Sequence, residues 1–232
     1  MDLMTENRLA RRAAILRTAR EMIAERGYEA ITIRELAEAC RVSVPTLYNQ
    51  FGGKDKLLAA AIEDHFGGGG QDVSIFTELS GFDRIFAMLE FIAQRFLADP
   101  GFHRRLLEAF SSLESTQDVQ TSITESLLHE IAGELEVTAL QGDLANWVDV
   151  ELLSGQVTTA FVSATVIWGS GQVADEQLLA SIEYGTGLVL LAAASDRSVG
   201  PIQKRVEQAQ KTLRHHPAKN KQHKTQLKQT KA

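Results

Sequence analysis

The sequence predicts an all-α protein with a small helix-turn-helix domain at its N-terminus and a larger helical domain after it. Apolar residues recur at spacings of three and four along most of the 232 residues, which is the period of a helix with one buried face. No segment sustains the alternation of apolar and polar residues that indicates a strand, so we expect no sheet. Hydrophobic residues make up 44% of the chain and charged residues 23%, as is typical of a protein that buries a core.

The first helix is predicted to run from about Arg8 to Arg26, with residues 1–7 frayed. Gly27 follows it, at the position where a glycine commonly ends a helix in a left-handed conformation. One face of the helix is apolar, through Leu9, Ala13, Leu16 and Ile23. Four arginines lie off that face and can either reach a phosphate or simply be solvated: Arg8, Arg11, Arg12 and Arg17.

Residues 32–51 carry the most informative pattern, two short helices joined by a tight turn. Thr32 is a helix cap, and Glu35 three residues later completes a capping box. Ser43 caps the second helix, and Pro45 stands just inside it, where a missing N–H has no cost. Such a pair typically forms a helix-turn-helix, whose second helix fits a DNA major groove.

The second of these helices presents a polar outer face. Leu47 and Phe51 share its inner face at i and i+4, which leaves four residues largely outward, namely Thr46, Tyr48, Asn49 and Gln50. Asn and Gln can pair with adenine, Thr can contact a thymine methyl group, and Tyr can donate to a phosphate. The alternative is that these are ordinary solvated residues of a small helical bundle.

A fourth helix is predicted from about Lys54 to Phe66, with Asp55 in its first turn, where a carboxylate suits the helix dipole. Four consecutive glycines at 67–70 then mark a domain boundary. The rest of the chain is predicted to be helical in five segments, at about 82–98, 102–115, 119–140, 145–168 and 175–194. The last two segments are apolar nearly all round, so they are buried on several sides, either in a dimer or in a monomer core.

Three runs of sequence, 19–28, 31–37 and 42–57, together resemble the N-terminal domain of the TetR family of bacterial transcriptional regulators. The third run reads Val-Ser-Val-Pro-Thr-Leu-Tyr-Asn-Gln-Phe-Gly-Gly-Lys-Asp-Lys-Leu. The resemblance implies that six residues face the operator: Arg34, Val44, Pro45, Thr46, Tyr48 and Asn49. It implies that Thr32, Tyr48 and Lys54 mainly contact phosphates, and Arg41 and Ser43 at the turn complete the candidate DNA-binding set.

Two positions depart from the family's pattern. Arg41 occupies the turn where the family usually has glycine, so a left-handed backbone there would cost on the order of 1 kcal/mol. Its charge near DNA can offset that cost. Gly53 stands where the family prefers a Ser or Thr cap, and we expect little consequence because glycine is also a common cap.

The fold expected from this resemblance is an N-terminal three-helix helix-turn-helix DNA-binding domain plus a larger C-terminal effector-binding and dimerisation domain. We expect domains at 1–66 and 67–200, and a basic tail at 201–232, in which residues 201–214 could form a short helix and the remainder is disordered. The implied function is a ligand-responsive repressor that binds a palindromic operator as a homodimer through the helices at about 145–168 and 175–194. The alternatives are a constitutive DNA-binding protein without an effector and a helical enzyme that carries the motif.

Charge is distributed unevenly along the chain, although the net value is only −6. Residues 1–60 carry a net charge of +2, residues 61–200 of −16 and residues 201–232 of +8. Ends that are less acidic than the middle can approach DNA, but +2 is too small to identify a nucleic-acid domain by itself. The single cysteine, Cys40, excludes an intramolecular disulfide and is expected to be a small buried residue.

The sequence contains no phosphate-binding glycine loop, His-Glu-x-x-His motif or nucleophile-elbow serine, so we expect no enzymatic activity, cofactor or metal. No apolar run appears long enough to span a membrane and no signal peptide is evident, so the expected location is the cytoplasm. Five aromatic residues favour an apolar or aromatic effector, or belong only to the core: Phe86, Phe96, Phe110, Trp147 and Phe161. His103 and Arg104 are weaker candidates for contacting an anionic group.

Overall fold

The computed structural model describes residues 3–66, 78–112 and 117–215. Within these ranges it has ten α-helices, a short 3-10 helix at Asp175–Gln177 and no strand. The helices are α1 Leu3–Arg26, α2 Ile33–Ala39, α3 Val44–Phe51, α4 Lys54–Phe66, α5 Gly81–Ala98, α6 Pro100–Ser112, α7 Gln117–Leu140, α8 Val150–Gly169, α9 Leu178–Ala193 and α10 Asp196–His215. The all-α prediction is confirmed.

The chain divides into two compact units. The first is drawn from residues 1–72 and 101–123, and the second from residues 73–100 and 124–232. α6 therefore belongs to the first unit, although it lies beyond the boundary predicted at the glycine run. That run, 67–70, lies outside the described residues.

The core of the first unit is built from the inward positions of α1 to α4 and α6. The fully buried side chains recur at helical spacing, and they include Ile15, Ile23, Leu36, Leu47, Leu57, Leu58 and Leu106. α1 begins at Leu3, so the prediction that residues 1–7 are frayed is wrong for residues 3–7. Glu6 in the first turn contributes to this early start, because a carboxylate there interacts favourably with the helix dipole.

The second unit is organised around α9, which packs closely against both α8 and α10. α8 begins at Val150, five residues later than predicted, because the Asp149 carboxylate caps it by accepting the Leu152 N–H at 3.0 Å. The preceding residues are held in an extended turn instead, where the Ala145 N–H donates to the Ala193 carbonyl at 2.9 Å.

α10 is longer than the short helix that the sequence allowed at 201–214. Residues 201–215 are helical and continue a helix that starts at Asp196. Pro201 removes one hydrogen bond within the helix, but the helix buries a face formed by Ser198 and three apolar residues, Ile202, Val206 and Ala209. Burial of such a face contributes more to helix stability than local propensity does. Residues 216–232 lie outside the described part of the chain.

α8 differs from expectation in a second way. The helix has 20 residues, and an 18-residue window of it has a mean hydropathy of 1.3, so by length and composition it could cross a membrane. A core helix of a globular protein passes the same test, and α8 buries Val157, Phe161 and Trp168 within the second unit. The Trp168 ring stacks on Phe96, with ring centres 6.0 Å apart. These contacts place one face of α8 in the core of the second unit, although only 33% of its apolar window is buried.

Candidate DNA-binding surface

The entry to α2 is a complete capping box, as predicted. The Thr32 hydroxyl accepts the Glu35 N–H at 3.3 Å, and the Glu35 carboxylate accepts the Thr32 N–H at 2.8 Å. The same carboxylate accepts the Thr32 hydroxyl at 2.7 Å and pairs with the Arg26 guanidinium at 2.7 Å. The hydrogen bond from Thr32 and then the contact with Arg26 lower the pKa of Glu35 to about 2. This network joins the end of α1 to the start of α2.

The turn between α2 and α3 is a Schellman motif with Arg41 at its left-handed position. The Arg41 N–H donates to the Glu38 carbonyl at 3.0 Å, and the Val42 N–H donates to the Ala37 carbonyl at 2.9 Å. Arg41 has a φ of 54°, and among the described residues it is the one non-glycine residue with positive φ. The predicted departure from glycine is therefore a real backbone cost, and the exposed Arg41 side chain lies at the turn that precedes α3.

α3 is anchored from beneath and capped at its start. Leu47 is fully buried and Phe51 nearly so, with the Arg12 guanidinium 4.7 Å from the centre of the Phe51 ring. The Ser43 hydroxyl accepts the Thr46 N–H at 3.3 Å and lies 2.8 Å from the Thr46 hydroxyl. One of the two hydroxyls donates its proton to the other, and the proton of the second hydroxyl can then be donated to DNA.

The structure leaves most of the predicted contact residues at the surface. Seven of the side chains are exposed: Thr32, Arg34, Arg41, Ser43, Pro45, Tyr48 and Asn49. Val44, Thr46 and Lys54 are partly exposed. The Thr32 hydroxyl is a weaker candidate for a phosphate, because its proton is already donated to Glu35. The Tyr48 side chain is 51% exposed, which is unusual for a large aromatic residue and leaves its hydroxyl accessible.

The junction between α3 and α4 consists of two glycines with positive φ, 86° at Gly52 and 146° at Gly53. Gly53 was expected to be a passive replacement for a Ser or Thr cap. Its φ shows instead that the backbone favours glycine here. Lys54 begins α4 directly after it, with its ammonium 4.2 Å from the centre of the Tyr28 ring. Neither this contact nor that of Arg12 with Phe51 was predicted, because both join residues far apart in sequence.

The cavities of the second unit differ from the predicted aromatic pocket. A cavity of about 800 Å³ is lined by residues of α7 and the start of α8, among them Glu125, His129, Glu136, Asp149 and Glu151. A smaller one, of about 300 Å³, includes Phe86 and two arginines, Arg197 and Arg205.

Of the aromatic residues proposed for an effector, Phe86, Phe96 and Phe161 are buried, which favours the core alternative. Trp147 is 73% exposed, and the Phe110 side chain lies outside the described part of the structure. His103 is buried in the first unit, where its Nε2 lies 3.0 Å from the Nε2 of His65.

Comparison with known proteins places this surface in a family. Residues 15–61 match the sequence model described as bacterial regulatory proteins, tetR family. Over 55 residues the chain is 42% identical to the HTH-type transcriptional repressor Rv3405c of Mycobacterium tuberculosis (strain ATCC 25618 / H37Rv). That match covers 24% of this chain and 29% of the relative, so the chain spans less than a third of that curated relative.

Two solved structures show the same fold. A TetR transcription regulator from Haloarcula marismortui ATCC 43049 has a TM-score of 0.68 at 16% identity, covering 80% of this chain and 99% of that one. RolR in complex with resorcinol has a TM-score of 0.62 at 20% identity, covering 87% and 95%. The helix-turn-helix sequence and the arrangement of helices agree with these comparisons: residues 15–61 match the tetR family of bacterial regulatory proteins, and most of the chain shares the fold of solved TetR regulators.

Proposed function

We propose that the chain is a ligand-responsive transcriptional regulator that represses by binding a palindromic operator as a homodimer in the cytoplasm. The observation that carries the proposal is the helix-turn-helix of α2 and α3. Both helices are capped at their first turn, and the outer face they present is polar and exposed. A fixed helix with such a face suits the major groove, where side chains read base edges.

Contacts divide into base readout and phosphate binding. Asn49 is exposed on α3 and has the amide group that can pair bidentately with adenine. Tyr48 and Lys54 supply a hydroxyl and an ammonium for phosphates. Gly53 has no side chain to cap the first N–H groups of α4, and these groups can add to the phosphate contact. Base contacts determine the sequence, and phosphate contacts determine the register.

The second unit supports dimerisation through an apolar face on α8 and α9. Four large apolar side chains on these helices are exposed: Leu152 at 71%, Val166 at 44%, Ile167 at 43% and Leu188 at 43%. Small residues accompany them, and a Cβ added at Gly155 would meet no atom within 4 Å. A second copy of the chain would cover this face and set two α3 helices one helical turn of DNA apart, about 34–36 Å.

An effector is proposed to shift the dimer to a conformation whose two α3 helices no longer match successive major grooves. The similarity of fold to RolR, solved with resorcinol, supports the proposal that the effector is a small molecule. The cavity of about 800 Å³ between α7 and α8 is the larger of the two candidate sites. Carboxylates and His129 line much of that cavity, so its lining does not by itself indicate an apolar ligand. The apolar or aromatic character of the effector remains a prediction.

A fluorescence-anisotropy titration tests the proposal. The full chain is titrated against duplexes from the DNA upstream of its own coding sequence, with and without a panel of small molecules. We expect one duplex to bind more tightly than a scrambled duplex of the same length and composition, and one compound to reverse the binding. Binding that no compound reverses would favour a constitutive DNA-binding protein. Absence of binding to any duplex would refute the proposal.

A further inference from the structure

Tyr28 at the end of α1 meets two neighbouring side chains at the start of α4, Lys54 and Asp55. The Lys54 ammonium lies 4.2 Å from the centre of the Tyr28 ring, and the Tyr28 hydroxyl donates a hydrogen bond to the Asp55 carboxylate. We propose that Tyr28 is a positioning residue that holds Lys54 ready for a DNA phosphate. This inference rests on the proposed function, because it concerns how a predicted DNA contact is prepared.

The backbone fixes Tyr28 in place before Lys54 is considered. Gly27 ends α1 with a φ of 74°, and its N–H donates to the Ile23 carbonyl at 2.8 Å. The Ile31 N–H then donates to the Tyr28 carbonyl at 3.2 Å, which closes the turn that leads to α2. The Tyr28 ring packs partly against the core of the first unit. The position of the Tyr28 ring is therefore set by the fold and does not depend on its contact with the Lys54 side chain.

The hydroxyl of Tyr28 controls the neighbouring carboxylate. Burial, and then the hydrogen bond and negative charge of Asp55, raise the pKa of the Tyr28 hydroxyl well above its ordinary value. The hydroxyl therefore stays protonated at physiological pH and keeps donating to Asp55. Asp55 adjoins Lys54 in the chain and could otherwise compete with a phosphate for the ammonium. In the described part of the structure no carboxylate forms an ion pair with Lys54.

The contact with the ring prepares Lys54 in a second way. A free lysine side chain samples many rotamers and loses that freedom when it binds a phosphate. A cation held over an aromatic face has already lost part of it, and the attraction to the ring leaves the outer side of the ammonium accessible. We expect this ordering to raise operator affinity about two- to tenfold.

A double-mutant cycle separates positioning from a purely structural role. Operator affinity is measured by anisotropy for the wild type, Tyr28→Leu, Lys54→Ala and the double variant. We expect Tyr28→Leu to weaken binding about two- to tenfold when Lys54 is present and to have no further effect when Lys54 is alanine. Equal losses in the two backgrounds would mean that Tyr28 only supports the fold, and would overturn the inference while leaving the proposed function intact. A wild type that binds no duplex would instead refute the proposed function, and this inference with it.

A rescue experiment tests the role of the hydroxyl. Tyr28→Phe keeps the ring but releases Asp55, so we expect weaker binding that the additional change Asp55→Asn restores. Failure of Asp55→Asn to restore affinity would contradict the competition between Asp55 and the phosphate.

The ring contact is also measurable without DNA. The ε-methylene protons of Lys54 should show an upfield ring-current shift in the wild type and in Tyr28→Phe, and none in Tyr28→Leu. The same shift in all three proteins would overturn the inference.

Discussion

Replacing Arg41 by glycine should make the protein more stable and its DNA binding weaker. Arg41 has a φ of 54°, a conformation that costs a non-glycine residue about 1–2 kcal/mol. Glycine removes that cost, but it also gives the unfolded chain more freedom, which offsets about 0.4–1 kcal/mol. The Arg41 side chain is exposed, so its loss removes little packing. The free energy of unfolding should therefore rise by about 0.5–1 kcal/mol.

The same substitution should reduce the salt dependence of operator binding. If Arg41 neutralises one phosphate, its removal lowers the slope of log K against log salt concentration by about 0.9. Urea unfolding measures the first effect, and anisotropy at several salt concentrations measures the second. Arg41→Ala is the matched control, because it removes the charge and keeps a side chain in the left-handed conformation.

Two results would refute this reasoning. Equal stability of Arg41→Gly and Arg41→Ala would show that the turn holds no backbone strain. An unchanged salt slope in both variants would show that Arg41 contacts no phosphate. The stability result concerns the backbone and the salt result concerns the charge, so either part of the prediction can fail alone.

Three further predictions concern the rest of the chain. Leu188→Glu should convert the proposed dimer to a monomer in light scattering. Leu140→Glu, at a side chain that is 89% exposed and outside α8 and α9, should leave the proposed dimer intact, and dimers of both variants would argue against the α8–α9 interface. Gly187→Ala should lower the free energy of unfolding by about 1–3 kcal/mol, because the added Cβ would lie 2.7 Å from a methyl carbon of α10. Gly133→Ala, with no atom within 4 Å, should raise it by about 0.5–1 kcal/mol, and equal effects would contradict the packing of α9 on α10. The pKa of Glu35 lies near 2, below its ordinary value of 4.5, so its contribution to stability is complete above about pH 4.5 and is lost as the pH falls through about 2. Urea unfolding of Glu35→Gln should therefore lose less stability between pH 5 and pH 2 than the wild type, and identical profiles would contradict the lowered pKa.

Local signals in the sequence were sufficient for the helix-turn-helix. A cap and its partner lie three residues apart, as Thr32 and Glu35 do, so both can be read in one short window. The same holds for Ser43 and for the glycine at the end of α1. The φ of Arg41 was expected only through the family resemblance, because nothing in the local residues requires a left-handed arginine.

Contacts between distant residues could not be predicted in this way. Tyr28 and Asp55 are 27 residues apart, and only the folded first unit brings them together. α10 shows the same limit, since the sequence allowed only a short helix at 201–214, whereas packing against α9 maintains a helix of 20 residues. The aromatic residues considered for an effector site illustrate a related limit, because composition does not distinguish a side chain that lines a cavity, as Phe86 does, from one that only fills the core, as a buried residue such as Phe161 can.

The central claim is that two copies of α3 read one palindromic operator. Native mass spectrometry of the chain with its own upstream duplex, at physiological salt, measures the number of chains per duplex and the preference over a scrambled duplex. We expect two chains per duplex and a sequence preference that Asn49→Ala reduces, whereas Lys54→Ala should weaken binding to both duplexes alike. One chain per duplex, or equal binding to the scrambled duplex, would contradict it.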